Sequence, residues 1–178
     1  MANNCFYDMH IVGKKDDVDF LIDKINAHEV GRIFSLDVYE YEEKTQSDYP
    51  YMYEEHETHA YASGDCAWSI WSSFLNNPEK VFENIIKERK LTIEMYSEEP
   101  GVGFMEHYMW EYGARTVEEE RDYTEYYTED IEEDPEYFEE FLSDDMVKQK
   151  GITKNNYKNF ADEGWIKIGG FDWVWTIN

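Results

Sequence analysis

Leu91 to Tyr112 reads LTIEMYSEEPGVGFMEHYMWEY, two runs of alternating character on either side of a turn. Leu91, Ile93 and Met95 fall on one side of an extended chain, with Thr92, Glu94 and Tyr96 on the other. After the turn, Phe104, Tyr108, Trp110 and Tyr112 share a face that only Glu106 interrupts. Period-two alternation is the signature of a half-buried strand. In the connection, Pro100 presets φ for a turn and Gly101 suits a positive φ. A hairpin is therefore expected here, with Glu99, Pro100, Gly101 and Phe104 as its structural turn.

The remaining chain must supply partners for that hairpin. Cys5 to Val12 alternates and predicts a first strand ended by Gly13. Val18, Leu21, Ile22 and Ile25 follow the spacing of one helix face, with Asp16, Asp17 and Asp19 near the positive helix start. Arg32 to Tyr41 predicts a second strand, 42–57 a long polar loop, and Thr58 to Ser63 a third strand broken by Gly64-Asp65. Ala67 to Leu75 is an apolar plug or a helical turn. Asn77 and Pro78 suit the cap and first position of a helix striped by Val81, Phe82, Ile85 and Ile86, with Lys87, Arg89 and Lys90 at its end. Strand, helix, strand, strand, helix, strand is the order of a ferredoxin-like split βαβ core. The expected class is α+β: an antiparallel sheet with two helices on one face, over residues 1–112.

Beyond Gly113 the composition shifts. Val117 to Asp145 holds fifteen acids and one base, Arg121. Asp134-Pro135 suits a helix start, followed by a stripe of Phe138, Phe141, Leu142 and Met146 that Gly151 can stop. Thr153 suits the cap of a shorter helix with Tyr157, Phe160 and Ala161 inward and Gly164 at its end. The last residues, WIKIGGFDWVWTIN, predict a terminal hairpin turning at Gly169-Gly170, with Phe171, Trp173, Trp175 and Ile177 on one face. Residues 113–178 are thus expected to form an acidic extension that packs back on the core as one compact unit.

The 178 residues carry 41 acids against 16 bases, a formal charge of −25, and 17% are aromatic. Disordered acidic tails are poor in aromatics, so a folded acidic surface is expected. Such a surface repels nucleic acid and anionic membranes and attracts basic proteins. Cys5 and Cys66 make neither a disulfide framework nor a zinc pattern, and read as buried free thiols. The start, MANNCFYDMHIVG, lacks the basic and apolar regions of a secretory signal, and no run reaches the roughly 18 apolar residues of a spanning helix. A cytoplasmic location in a host cell is the expectation.

Three features resemble the YubB-type ferredoxin-like proteins of phages and plasmids: the Met-Ala-Asn-x-Cys start, the Trp68-Ser69 pair before the second helix, and a Glu-Pro-Gly-x-x-Phe turn met by Glu99 to Phe104. The likeness covers roughly residues 1–112. It implies the fold and a mobile-element setting, and no catalytic residues.

No reaction is legible in the side chains. His56 and His59 form His-x-x-His beside Glu54, Glu55 and Glu57, but the spacing is not that of a zinc protease. His10, His59 and His107 fall in predicted strands and could meet, with Asp65 and Cys66 near His59 in sequence; a satisfied core or surface histidine is the plainer reading of each. Gly101-x-Gly103 lacks the lysine of a phosphate loop. The acids lack the Asp-x-Asp-x-Asp-Gly pattern of a calcium loop. No catalytic residue, metal or cofactor is therefore expected. What remains is a partner-binding surface of Glu118, Glu119, Glu120, Asp122, Glu125, Glu129, Asp130, Glu132, Glu133 and Asp134, with Tyr126 and Tyr127 as aromatic contact area. The expected activity is inhibition of a host nucleic-acid enzyme, of restriction or CRISPR type, by mimicry of DNA. The alternatives are a small-molecule or metal-binding domain or enzyme using the open sheet face, and a structural oligomer.

Overall fold

The computed structural model describes residues 4–46 and 55–177; of residues 45, 46, 55 and 56 it describes the backbone. It is α+β, and it divides into two units, Met1–Glu120 with Asp172–Asn178, and Arg121–Phe171. The sequence pattern places that boundary at 112, eight residues earlier than the structure does.

In the first unit, β1 (Asn4–Gly13) is central. It pairs antiparallel with β3 (Glu55–Ala67) on one side and with β4 (Thr92–Glu99) on the other. β2 (Asp37–Gln46) pairs with β3, and β5 (Phe104–Glu111) with β4, also antiparallel. The neighbour order is β2-β3-β1-β4-β5, followed by β6 (Ala114–Tyr127). The helix α1 (Lys15–Asn26) follows β1, and α2 (Val81–Arg89) precedes β4. Tyr7, Met9 and Ile11 of β1, Ile93 and Met95 of β4, and Tyr108 and Trp110 of β5 form one core with Val18, Leu21 and Ile25 of α1 and Phe82 and Ile86 of α2. Both helices therefore cover the same face. Each fully buried side chain of this size contributes about 1.5–3 kcal/mol. Arg89 ties the two helices together, stacking 3.6 Å over the Phe20 ring and pairing with Asp17 at 2.5 Å.

Several boundaries differ from expectation for local reasons. β3 continues through Gly64, because glycine there allows a close approach: a Cβ would lie 2.1 Å from the Ser35 carbonyl oxygen and 2.7 Å from the Tyr7 hydroxyl. β2 begins at Asp37, not Arg32; of the earlier residues only Ile33 bridges to Cys66. The loop expected over 42–57 is strand at both ends. α2 begins three residues after Pro78, because Asn77 spends its side chain on Glu79 N–H at 3.0 Å and Lys80 is left-handed with φ 49°. At the β4–β5 turn it is Gly103, with φ 81°, that takes the positive φ expected of Gly101. Buried Glu99 closes that turn by accepting from Val102 N–H. Ala67–Leu75 ends in a π-helical turn, Trp71–Leu75.

In the second unit, the rest of β6 pairs antiparallel with β7 (Trp165–Gly169). Three short helices lie between them, α3 (Thr128–Glu133), α4 (Pro135–Ser143) and α5 (Asp145–Gln149). Tyr126, Ile131, Phe141, Val147, Ile152, Ile166 and Ile168 form its small core. Asp134 caps α4 as expected, accepting from Glu136 N–H at 2.8 Å. Asp144 interrupts the expected stripe and starts α5. The helix expected after Thr153 is only a 3₁₀ turn, Tyr157–Phe160, with Phe160 and Ala161 exposed. The expected terminal hairpin is absent. Gly169 and Gly170 do turn the chain, with φ 90° and 70°, but β7 pairs with β6, and residues 171–177 pair with no strand.

Candidate functional site

The sheet of the first unit has a second face, opposite the helices, where Thr92, Glu94, Tyr96, His107, His10, His59 and Tyr61 point by strand alternation. Residues 172–177 lie on it. Glu94 is fully buried and is the anchor. Its carboxylate accepts from Thr176 N–H at 2.7 Å, Thr176 Oγ1 at 3.0 Å and Ile177 N–H at 3.2 Å. His107 Nε2, at 3.0 Å, and the Tyr96 hydroxyl, at 3.2 Å, complete the set. A carboxylate has no proton to give, so His107 carries one on Nε2. Burial pushes the Glu94 carboxyl up, but the hydrogen bonds from His107, Thr176 and Ile177 outweigh it and bring it down to about 2. Tyr96, buried beside that charge, is pushed up to about 12 and also donates to the Val174 carbonyl at 2.9 Å.

Aromatic rings fill the space around this anchor. Tyr96 stacks on His107 at 4.2 Å, and Trp173 and Trp175 lie 6.0 and 5.5 Å from it. Trp175 also meets His10 at 5.7 Å and Tyr61 at 6.3 Å. His10 is fully buried, stacked 4.0 Å from Tyr61, with its Nε2 3.1 Å from His59 Nδ1. Its Nδ1 has no hydrogen-bond partner among the described residues. Burial first, then the neighbouring His59, lowers the His10 pKa to about 4, so the pair is neutral at pH 7 and shares one N–H between the two rings.

Of the three strand histidines, His10 and His59 do meet, and His107 goes to Glu94. Cys66 lies on the helix face, opposite Cys5, and both thiols are free and buried. Hydrogen bonding with Cys5 and burial push the Cys66 thiol far up, so it offers no thiolate. Asp65 bonds Ser35 at 3.1 Å. Glu54 and the side chains of Glu55 and His56 lie outside the described residues. Among the described residues no group of three or more metal-ligating side chains could hold an ion, and no helix is long and apolar enough to cross a membrane.

The predicted acidic surface falls partly on each unit. Glu118, Glu119 and Glu120 are exposed on β6 in the first, Glu118 pairing with Arg115 at 3.3 Å. The others belong to the second. There Glu125 pairs with Lys167 at 3.5 Å, Glu132 pairs with Lys158, and Asp134 serves as the α4 cap. Tyr126 is buried, packs on Phe141 and donates to Asp144 at 2.5 Å, which removes it from the contact surface. Tyr127 is half-exposed against Trp165. Asp122, Glu129, Asp130, Glu133, Glu136, Glu139 and Glu140 are exposed and have no basic partner among the described residues. Charge is not confined to this unit: 121–171 holds fourteen acids and six bases, net −8, and the rest of the chain 27 acids and ten bases, net −17.

The first unit also has a cleft of about 980 Å³ between Gly13, Lys14, Arg89, Lys90, Thr92 and Tyr112. Sequence reasoning missed Glu94 and Thr176. The one signal for them was the tryptophan-rich end of a chain whose sheet still had an uncovered face. Comparison with family models, curated proteins and solved structures finds no match.

Proposed function

We propose that this is a non-enzymatic acidic protein that binds and inhibits a host protein through that protein's basic, nucleic-acid-binding surface. The observation that carries the reading is the set of seven exposed, unpaired carboxylates on the second unit alone, at Asp122, Glu129, Asp130, Glu133, Glu136, Glu139 and Glu140. Duplex DNA presents one charge per roughly 1.7 Å of axis, and its binders meet it with Lys and Arg. A folded surface of unpaired carboxylates competes for the same bases, and steering makes the encounter fast and salt-sensitive. Glu118, Glu119 and Glu120 are further exposed acids, carried by the first unit.

The same reading takes the first unit as a ferredoxin-like core. The order β2-β3-β1-β4 with a helix after β1 and another before β4 fits the split βαβ pattern. A phage or plasmid origin rests on the resemblance of residues 1–112 to the YubB-type proteins.

The test is capture from host lysate by the purified chain. A basic nucleic-acid enzyme retained at 50 mM salt, released at high salt and displaced by added DNA supports the reading. Replacing Glu129, Asp130, Glu133, Glu136, Glu139 and Glu140 by the corresponding amides is expected to weaken that capture at least tenfold. Unchanged capture by this variant overturns it.

A further inference from the structure

We propose that the tail-covered sheet face is a recognition site for an extended segment of the pattern aromatic-x-aromatic-Thr, and that Trp173 to Thr176 fill it as a built-in, displaceable ligand. The inference stands apart from the acidic-surface reading.

Four observations support it. First, the segment behaves as a bound peptide and not as a strand. It forms no ladder, and Glu94, the Tyr96 hydroxyl and ring contacts hold it. Second, Glu94 is a built receptor. It is a fully buried carboxylate whose position is fixed from the sheet by His107 and Tyr96, with its remaining capacity aimed at two consecutive amides and a threonine hydroxyl. Pairs of main-chain amides with pockets for alternate side chains are how proteins read extended peptides. Third, Trp173 is 36% and Val174 62% exposed, and Gly169 and Gly170, both in left-handed conformations, precede the segment. Fourth, the His10 ring lies 5.7 Å from Trp175, and its buried Nδ1 has no partner among the described residues. An unmet buried polar atom is destabilising, and the resident segment leaves this one unmet. A segment that brings a polar group to His10 makes one bond more than the tail does.

A tethered ligand competes at an effective concentration in the millimolar range. An incoming segment therefore binds the wild-type chain only weakly until the tail is weakened. The test keeps the full chain and spoils the tail, not the receptor. The probe is a fluorescein-labelled peptide, Phe-Asp-Trp-Val-Trp-Thr-Ile-Asn, followed by fluorescence anisotropy. The variant Trp173→Ala/Trp175→Ala is expected to bind it saturably, at least tenfold more tightly than the wild type does. Adding Glu94→Gln to that variant is expected to weaken the probe at least tenfold. No saturable binding by a variant that keeps its circular dichroism and cooperative unfolding overturns the proposal. Should that variant not fold, native hydrogen exchange of the wild type decides. Exchange of the Thr176 and Ile177 amides at least a hundredfold faster than that of the β1 and β4 amides supports a displaceable tail, whereas equal protection overturns it.

Discussion

Glu94 and Glu106 sit on neighbouring strands of the same unit, both fully buried, and they shift in opposite directions. Glu94, on the tail face, is held at about 2 against burial by hydrogen bonds from His107, the Thr176 N–H and hydroxyl, and the Ile177 N–H. Glu106, on the helix face, is raised: burial dominates over hydrogen bonds from Trp71 N–H at 3.2 Å, Ile70 N–H at 2.6 Å and Ser97 Oγ at 3.0 Å. Each carboxylate holds an irregular segment onto regular structure. Glu106 fixes the start of the π-helical turn, and Glu94 fixes the chain end. The sign of each shift is the balance of burial depth against donors: Glu106 lies deeper in the fold and burial wins, whereas Glu94 lies less deep and its hydrogen bonds win. The two also differ in what happens when they are removed. The donors to Glu106 belong to the body of the fold, and those from Ile70 and Ser97 are buried, while those from Thr176 and Ile177 can swing out to water.

The largest expected effect follows from that difference. Glu106→Ala leaves Ile70 N–H and the Ser97 hydroxyl buried without an acceptor, and takes the acceptor from the half-buried Trp71 N–H. At about 1–3 kcal/mol for each orphaned group, the loss is about 4 kcal/mol, read as a lower urea midpoint. A loss under about 1 kcal/mol would mean that water or a neighbour replaces the carboxylate, and the contrast with Glu94 would collapse.

Glu94→Gln is expected to cost less, about 2 kcal/mol, because the tail can release and re-solvate its own amides. Its signature is in pH. A carboxyl lowered from 4.5 to about 2 on folding stabilises the fold fully above pH 4.5, and that contribution fades as pH falls from about 4.5 toward 2. Glu106 has the opposite sign. Its raised pKa makes the charged form costly in the folded state, and protonation on acidification removes the cost. His10, lowered from 6.5 to about 4, contributes stability above pH 6.5 that is lost on the way down to 4. Glu94→Gln should therefore flatten the loss of stability between pH 4.5 and 2 and leave the His10 step between 6.5 and 4 in place. An unchanged acid limb would mean that Glu94 is not the carboxylate holding the tail.

The contrast between the two glutamates also marks how far the sequence could be read. The β4–β5 hairpin, the α1 and α2 stripes, the Asp134 cap and the two free thiols were legible, because each follows from local periodicity or one local hydrogen bond. β6 was not legible: its first seven residues are almost all exposed, so no alternation of polar and apolar residues announces the strand. Glu94 looked like the solvent side of a half-buried strand, because alternation cannot tell a face left open from one covered 80 residues later. Gly64 looked like a break, although its missing Cβ is what lets Ser35 and Tyr7 approach β3. The acids were legible as a composition, but not their employment in capping α4 or pairing with Lys158 and Lys167.

The smallest effects sharpen the comparison at the level of single hydroxyls. The single Tyr96 hydroxyl proton is shared between two acceptors, Glu94 at 3.2 Å and the Val174 carbonyl at 2.9 Å, so it links the anchor to the segment anchored. Tyr108 reaches Glu106 only at 3.5 Å, the outer limit of a hydrogen bond. Replacing each by phenylalanine removes one oxygen and keeps the ring stack. Tyr96→Phe is expected to lower stability by about 1 kcal/mol and to speed exchange of the Thr176 amide. Tyr108→Phe should change stability by less than about 0.5 kcal/mol, since little bonding is lost and a polar atom leaves a dry site. Equal costs for the two in urea unfolding would place both hydroxyls in comparable bonds, and would make the Glu94 network no more donor-rich in effect than the one around Glu106.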